Sequence, residues 1–140
     1  MLASGATIVT NTREIAADDF FLGLFETALN EGEIVTAVKF PIPEKANYQK
    51  FVRPASRFAL VGVFVAKTAS GVRVAVTGAS NEGVDRWAAA EDALSAIFSA
   101  SSLDGLTVSA DNLISDLHGS PEYCAHLVKV MTGRAVTAAS

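Results

Sequence analysis

Arg53, Ser56 and Arg57 stand close together in a step that reads FVRPASRFALVG over residues 51–62. Two guanidinium groups and a hydroxyl there suit an anionic or electron-rich ligand edge, because guanidinium forks make fixed, charge-assisted hydrogen bonds. Small neighbours let backbone donors approach such an edge. Pro54 fixes its own φ and biases Arg53 toward extended backbone, which puts that guanidinium at the end of a strand. A solvated strand end is the plainer account of the same residues.

Other reactive side chains have structural explanations. Asp18 and Asp19 precede an apolar run and suit the capping of a helical turn, and no nearby histidine or lysine divides acid and base roles with them. His118 and His126 lack the i, i+4 spacing of a helical metal pair, so no metal site is expected. Asp116, His118 and Tyr123 read as a local hydrogen-bond cluster that fixes a turn between helices. Cys124 falls on an apolar helical stripe, where a thiol is inert, and Trp87 is expected in the core. The run from Gly78 to Gly83 has the outer glycines of a phosphate-binding loop but continues Val84-Asp85 where lysine and a hydroxyl are needed. It reads as a turn between a strand and a helix.

The elements that must position these residues are legible from patterning. Residues 6–10 and 13–16 form a hairpin across Asn11-Thr12, and a single turn follows at Asp18. Residues 33–40 alternate as a half-buried strand, stopped by Pro41 and Pro43. Three strands then cover residues 48–53, 60–68 and 72–78, the last two joined as a hairpin. The middle one is apolar on both faces and lies inside the sheet, with Gly62 marking the close approach of a backbone or a ligand.

Past Gly83 the period becomes helical: Trp87, Ala90, Leu94, Ile97 and Phe98, then Leu113, Ile114 and Leu117, then Cys124, Leu127, Val128, Met131 and Ala135. Ser120-Pro121-Glu122 is a strong start signal for the last helix. The expected class is α+β, a three-stranded antiparallel sheet packed on a three-helix bundle and preceded by a short β-rich segment. The two prolines divide the chain into residues 1–43 and 44–140.

Composition bounds the function. The chain of 140 residues is 50% hydrophobic and 19% charged, enough for one core with an appendage. A formal net charge of -4 with scattered cations argues against a nucleic-acid partner. A single cysteine excludes an internal disulfide and fits a reduced, cytoplasmic setting. No apolar run reaches the length of a membrane span, and no signal peptide is evident.

The segment FVRPASRFALVG, with DDFFLGLFETAL and GEIVTAVKFP upstream and VAVTGAS and SDLHGSPEYCAHLVKVMTGRA downstream, resembles the FAD-binding medium subunit of the carbon monoxide dehydrogenase type of molybdenum hydroxylase. The resemblance runs in order from about residue 6 to residue 135. It implies the carboxyl-terminal part of such a subunit, with residues 1–43 the end of the flavin domain and residues 44–140 the domain that follows.

That resemblance implies an oxidoreductase component that relays electrons through FAD. Its partners would be a molybdenum-bearing large subunit and an iron–sulfur small subunit. Val35 would border the flavin ring, Arg53 would occupy a cationic position near it that is a lysine in xanthine dehydrogenase relatives, and Ser56 and Arg57 would give support. No residue is expected to be catalytic. The glycine-rich loops that hold the FAD pyrophosphate in the family do not occur here, so the chain alone is expected to bind FAD weakly or not at all and to have no turnover. The alternative is a non-enzymatic interaction or homodimerisation module, with Phe20, Phe21, Leu24 and Phe25 as an exposed apolar patch.

Overall fold

The computed structural model describes residues 1–54, 58–117 and 119–140. Its amino-terminal unit is built on the expected hairpin. Strands β1 (Thr7–Thr10) and β2 (Glu14–Ala16) pair antiparallel with Ile8 opposite Ile15, and both side chains are buried on one face. Strand β5 (Val35–Lys39) pairs with the other side of β1, so the sheet order is β2-β1-β5 and β5 lies at an edge. A single turn, α1 (Ala17–Phe20), buries Ala17 and Phe20 against Ala6, Ile8 and Ile15.

Two expectations change here. The acids of α1 do not cap it, since its N-cap is Ala16 and no side chain caps there. Asp18 instead pairs with Arg73 and Arg86, far along the chain. The phenylalanine patch is also smaller than expected, because Phe20 is in the core and Phe21 is half-buried beside it. Of its four residues, Leu24 and Phe25 project. They sit at the tip of a small hairpin of β3 (Phe21–Gly23) and β4 (Glu26–Thr27), where Phe25 is 99% exposed with φ 64°.

The second unit is an antiparallel sheet in the order β6 (Lys45–Val52), β7 (Ala59–Thr68), β8 (Gly71–Ser80) and β9 (Gly83–Arg86). The fourth strand corrects the three-stranded expectation. Gly78 and Gly83 have φ of 80° and 99°, in the left-handed region that glycine tolerates, so the chain bulges and turns back as a strand before any helix begins. Central β7 is buried on both faces as expected. Val61, Val63 and Val65 face the helices, and Phe64 packs with Leu2, Ala3 and Ala75 under the amino-terminal segment.

The helical layer comprises α2 (Ala88–Ala96), a 3-10 turn at Ala100–Leu103 and α3 (Pro121–Ala139). Leu94, Leu103, Leu127, Val128, Met131 and Val136 close the core over the sheet valines. Ser120 caps α3 by accepting from the Tyr123 amide at 3.3 Å. The architecture is therefore α+β, with helices on one face of an antiparallel sheet.

One helical stripe is shorter than its spacing implied, and another is not helical. Helix α2 stops at Ala96, leaving Ile97 exposed and Phe98 beneath the ammonium groups of Lys45 and Lys67. The segment holding Leu113, Ile114 and Leu117 is extended. Its backbone pairs with the end of β8: the Ile114 amide donates to Ala79 O at 2.8 Å, and Asn81 Nδ2 donates to Leu113 O at 3.2 Å. So short a stretch gains little from helix formation, and these external partners prevail.

Glu91, in the first turn of α2, is buried and accepts from the Val74 amide at 2.8 Å and from Arg86. The Trp87 amide donates to Val74 O at 3.1 Å. Beyond the end of β9, these two residues thus satisfy both backbone groups of Val74.

Candidate functional site

The cationic step lies where β6 ends. The β6–β7 register shifts between Phe51 and Val52, and the chain then leaves the sheet. The Arg53 amide then donates to Phe58 O at 3.1 Å. Ser56 and Arg57 lie outside the described residues.

Arg53 is not a solvated strand end. Only 6% of it is exposed, and its guanidinium lies over the Phe58 ring, 4.7 Å from the centroid. Its Nη2 points at both carboxylate oxygens of Asp116, each at 3.5 Å. Its Nε is buried and, among the described residues, has no hydrogen-bond partner. A buried donor left over in this way is a point at which a ligand or a water would be stabilised.

The floor of the corner is apolar. Phe51 meets Tyr123 edge-on at 6.2 Å, and an added Cβ on Gly119 would come within 3.1 Å of the Tyr123 ring and 3.5 Å of Cys124 Sγ. Cys124 is buried, and burial, followed by the neighbouring Asp116 carboxylate, pushes its thiol pKa up, which keeps it protonated and unreactive. Of the expected Asp116–His118–Tyr123 cluster, Asp116 turns to Arg53 and Tyr123 to Phe51, while His118 lies outside the described residues.

Val35 is elsewhere. It opens β5, is half exposed and pairs with Thr10 across a bulge, in a different sheet from the one that ends at Arg53. Phe58 is the residue that sequence reasoning overlooked: it was given no role, yet it is half exposed and carries the Arg53 stack.

A second concavity separates the two units. Leu2, Phe21, Tyr48, Phe64, Thr77 and Val84 line a cavity of about 360 Å³ on the outer face of the β6–β9 sheet. Gly62 belongs to this face. Tyr48 and Thr77 lean over it from the neighbouring strands, and an added Cβ would clash with the Tyr48 hydroxyl and lie 2.7 Å from Thr77 Oγ1. Side chains, not a backbone, make the close approach.

These groups can bind, but they do not form acid–base machinery. Among the described residues no three His, Cys, Asp or Glu side chains come together as a metal site. The turn from Gly78 to Gly83 is no phosphate cradle, because an added Cβ on Gly78 would meet the carbonyl oxygens of Ala59 and Leu60 at 2.7 and 2.8 Å. Among the described residues no helix is long and apolar enough to cross a membrane.

No family model matches the chain. It is 33% identical to the nicotine 6-hydroxylase medium subunit of Paenarthrobacter nicotinovorans, over 94% of this chain and 50% of that protein. It is 28% identical to the glyceraldehyde dehydrogenase medium chain of Sulfolobus acidocaldarius, over 96% and 53%. It is also 28% identical to the carbon monoxide dehydrogenase medium chain of Afipia carboxidovorans, over 89% and 47%. The chain therefore spans about half the length of the curated relatives it matches.

Among solved structures, quinoline 2-oxidoreductase from Pseudomonas putida 86 superposes with a TM-score of 0.78 at 25% identity, covering 99% of this chain and 53% of that one. Reconstituted CO dehydrogenase from Oligotropha carboxidovorans gives 0.80 at 24% identity over 99% and 54%, a likeness of fold. The chain is a homologue of the medium subunits of carbon monoxide dehydrogenase and related molybdenum hydroxylases, corresponding to about half of one.

Proposed function

We propose that this chain is the carboxyl-terminal part of an FAD-bearing medium subunit, that it shapes the flavin site, and that it takes part in subunit contacts for electron transfer. One observation carries the reading. Medium subunits named for nicotine, glyceraldehyde and carbon monoxide all match nearly the whole chain, so what is shared does not depend on which substrate is oxidised. The shared task is the relay that follows oxidation. FAD, when bound, supplies the two-electron chemistry that joins the iron–sulfur clusters of a small subunit to an external acceptor, after a molybdenum-bearing large subunit has oxidised the substrate.

By the resemblance, Val35, an exposed apolar side chain at a sheet edge, would border the ring of such a group. Arg53 would stand near its polar edge with support from Ser56 and Arg57, since a nearby cation favours negative charge and raises the potential of the group. Residues 1–43 then complete the flavin domain, residues 44–140 form the domain after it, and the assembly works in the cytoplasm.

The test is flavin retention on a sizing column, monitored by visible absorption. The chain with FAD alone is expected to elute colourless. Mixed with FAD and the remaining half of the Paenarthrobacter nicotinovorans medium subunit, it is expected to carry yellow flavin. Colourless protein from both mixtures overturns the proposal.

A second reading, an interaction or dimerisation module, is favoured by Phe25, an exposed phenylalanine held in left-handed backbone. A stable dimer mass for the chain alone, reduced to monomer by Phe25→Ser, would support it.

A further inference from the structure

We infer that the hollow on the outer face of the β6–β9 sheet binds an uncharged aromatic molecule of one or two rings that carries a single hydroxyl. The hollow follows from the strand register. Across this face one row of paired residues runs Lys50, Gly62 and Thr77, and the next runs Tyr48, Phe64 and Ala75. Gly62 and Ala75 are the small members of these rows, so a gap opens where a sheet face ordinarily carries side chains. Leu2, Phe21 and Val84 wall the gap and leave about 360 Å³. That volume falls in the range of small-molecule sites, about 300–1,000 Å³.

The hollow has two chemically different ends. Leu2 and Ala75 are buried and Phe64 is half-buried, which makes the inner end apolar. Tyr48 and Thr77 are exposed at the rim, and both of their hydroxyls stand over Gly62, where an added Cβ would run into them. Thr77 Oγ1 reaches Gly62 O only at 3.5 Å, the far limit of a hydrogen bond. Each hydroxyl can donate and accept, so the pair suits a ligand hydroxyl, which does both.

Among the described residues no Asp, Glu, Lys, Arg or His lines the hollow, so an ionised ligand would lose its hydration without gaining a partner. The rings of Phe21, Tyr48 and Phe64 offer faces and edges to another ring, which favours an aromatic ligand over an alkyl one. None of the lining residues belongs to the Arg53 corner, and the inference does not rest on the flavin reading.

Equilibrium dialysis of the full chain against 2-naphthol, and against naphthalene as the same rings without the hydroxyl, tests the site. 2-Naphthol is expected to bind saturably at one site and more tightly than naphthalene. Tyr48→Phe and Thr77→Val should each weaken 2-naphthol about five-fold, the worth of one hydrogen bond, and leave naphthalene unchanged. Ala75→Leu fills the hollow and should abolish uptake of both. Tyr48→Phe removes only a rim hydroxyl and keeps the fold, so it decides the matter if Ala75→Leu does not fold. No saturable uptake of 2-naphthol, equal affinity for naphthalene, or unchanged 2-naphthol affinity in any folded variant would overturn the inference.

Discussion

Arg13 and Glu33 meet as a two-pronged pair, with Nε on Oε1 and Nη2 on Oε2, each at 3.0 Å. The same carboxylate accepts from Thr10 Oγ1 at 2.7 Å, Thr12 Oγ1 at 2.9 Å and the Asn30 amide at 2.9 Å. The β1–β2 turn and the approach to β5 are thus tied through one buried acid.

Those donors, led by Arg13, hold the Glu33 carboxyl far below the usual carboxylate range. A group depressed in the folded state contributes stability that is present above its unfolded pKa of about 4.3 and is lost as pH falls toward the folded value. Glu33→Gln should lower the melting temperature at pH 7 and flatten its dependence on pH below about 4.5. An unchanged acid limb in a melting series would show that the acid sensitivity lies elsewhere.

Asp18 links the two units through Arg73 and Arg86. It is half exposed, so Asp18→Asn should destabilise by less than about 1 kcal/mol, and high salt should shrink the difference. Urea titrations at low and high ionic strength measure both. A larger loss that ignores salt would contradict an electrostatic latch.

Two glycines should respond differently to a methyl group. In Gly62→Ala the obstacles are two side-chain hydroxyls, one on half-exposed Tyr48, and the cost should be about 1 kcal/mol. In Gly78→Ala the obstacles are two backbone carbonyls at positive φ, and about 3 kcal/mol is expected. Equal midpoints in denaturant would refute the distinction.

Ser120→Ala removes the hydroxyl that caps α3 and should cost about 1 kcal/mol. Ser120→Thr keeps a capping hydroxyl without adding charge, so it should retain most of the stability that the alanine variant loses. Thermal unfolding of the parent chain and both variants decides. A threonine variant as unstable as the alanine one would mean that the cap is not the source of the loss.

Cys124 should resist alkylation in the folded protein, since it is buried and its thiol pKa is raised. Iodoacetamide labelling followed by mass spectrometry should track unfolding by urea. Rapid labelling in buffer would mean that the corner around Gly119 and Tyr123 opens locally.

What could be read from the residues was local. Alternation and turn chemistry located β1, β2, β5 and the β6–β8 strands, and Ser120-Pro121 located α3. Strand β9 was hidden because GVDR is too short to show a period, and its pairing depends on glycine torsions that only the folded chain reveals. Asp18 looked like a cap because its true partners, Arg73 and Arg86, are distant in sequence. The candidate site divides in the same way. Arg53 at a strand end was legible from the following proline, whereas its burial against Phe58 and Asp116 is a tertiary fact.

Glu91 and Trp87 have a consequence for the edge of the sheet. The β8–β9 register ends at Ala75 and Arg86, and beyond it the Val74 amide donates to the Glu91 carboxylate, the Val74 carbonyl accepts from the Trp87 amide, and the Val72 amide donates to Ser95 Oγ. Backbone groups on the outer side of a strand are a template for pairing with another chain unless something covers them. Helix α2 thus finishes what β9 begins, shielding the rest of β8 from a foreign strand.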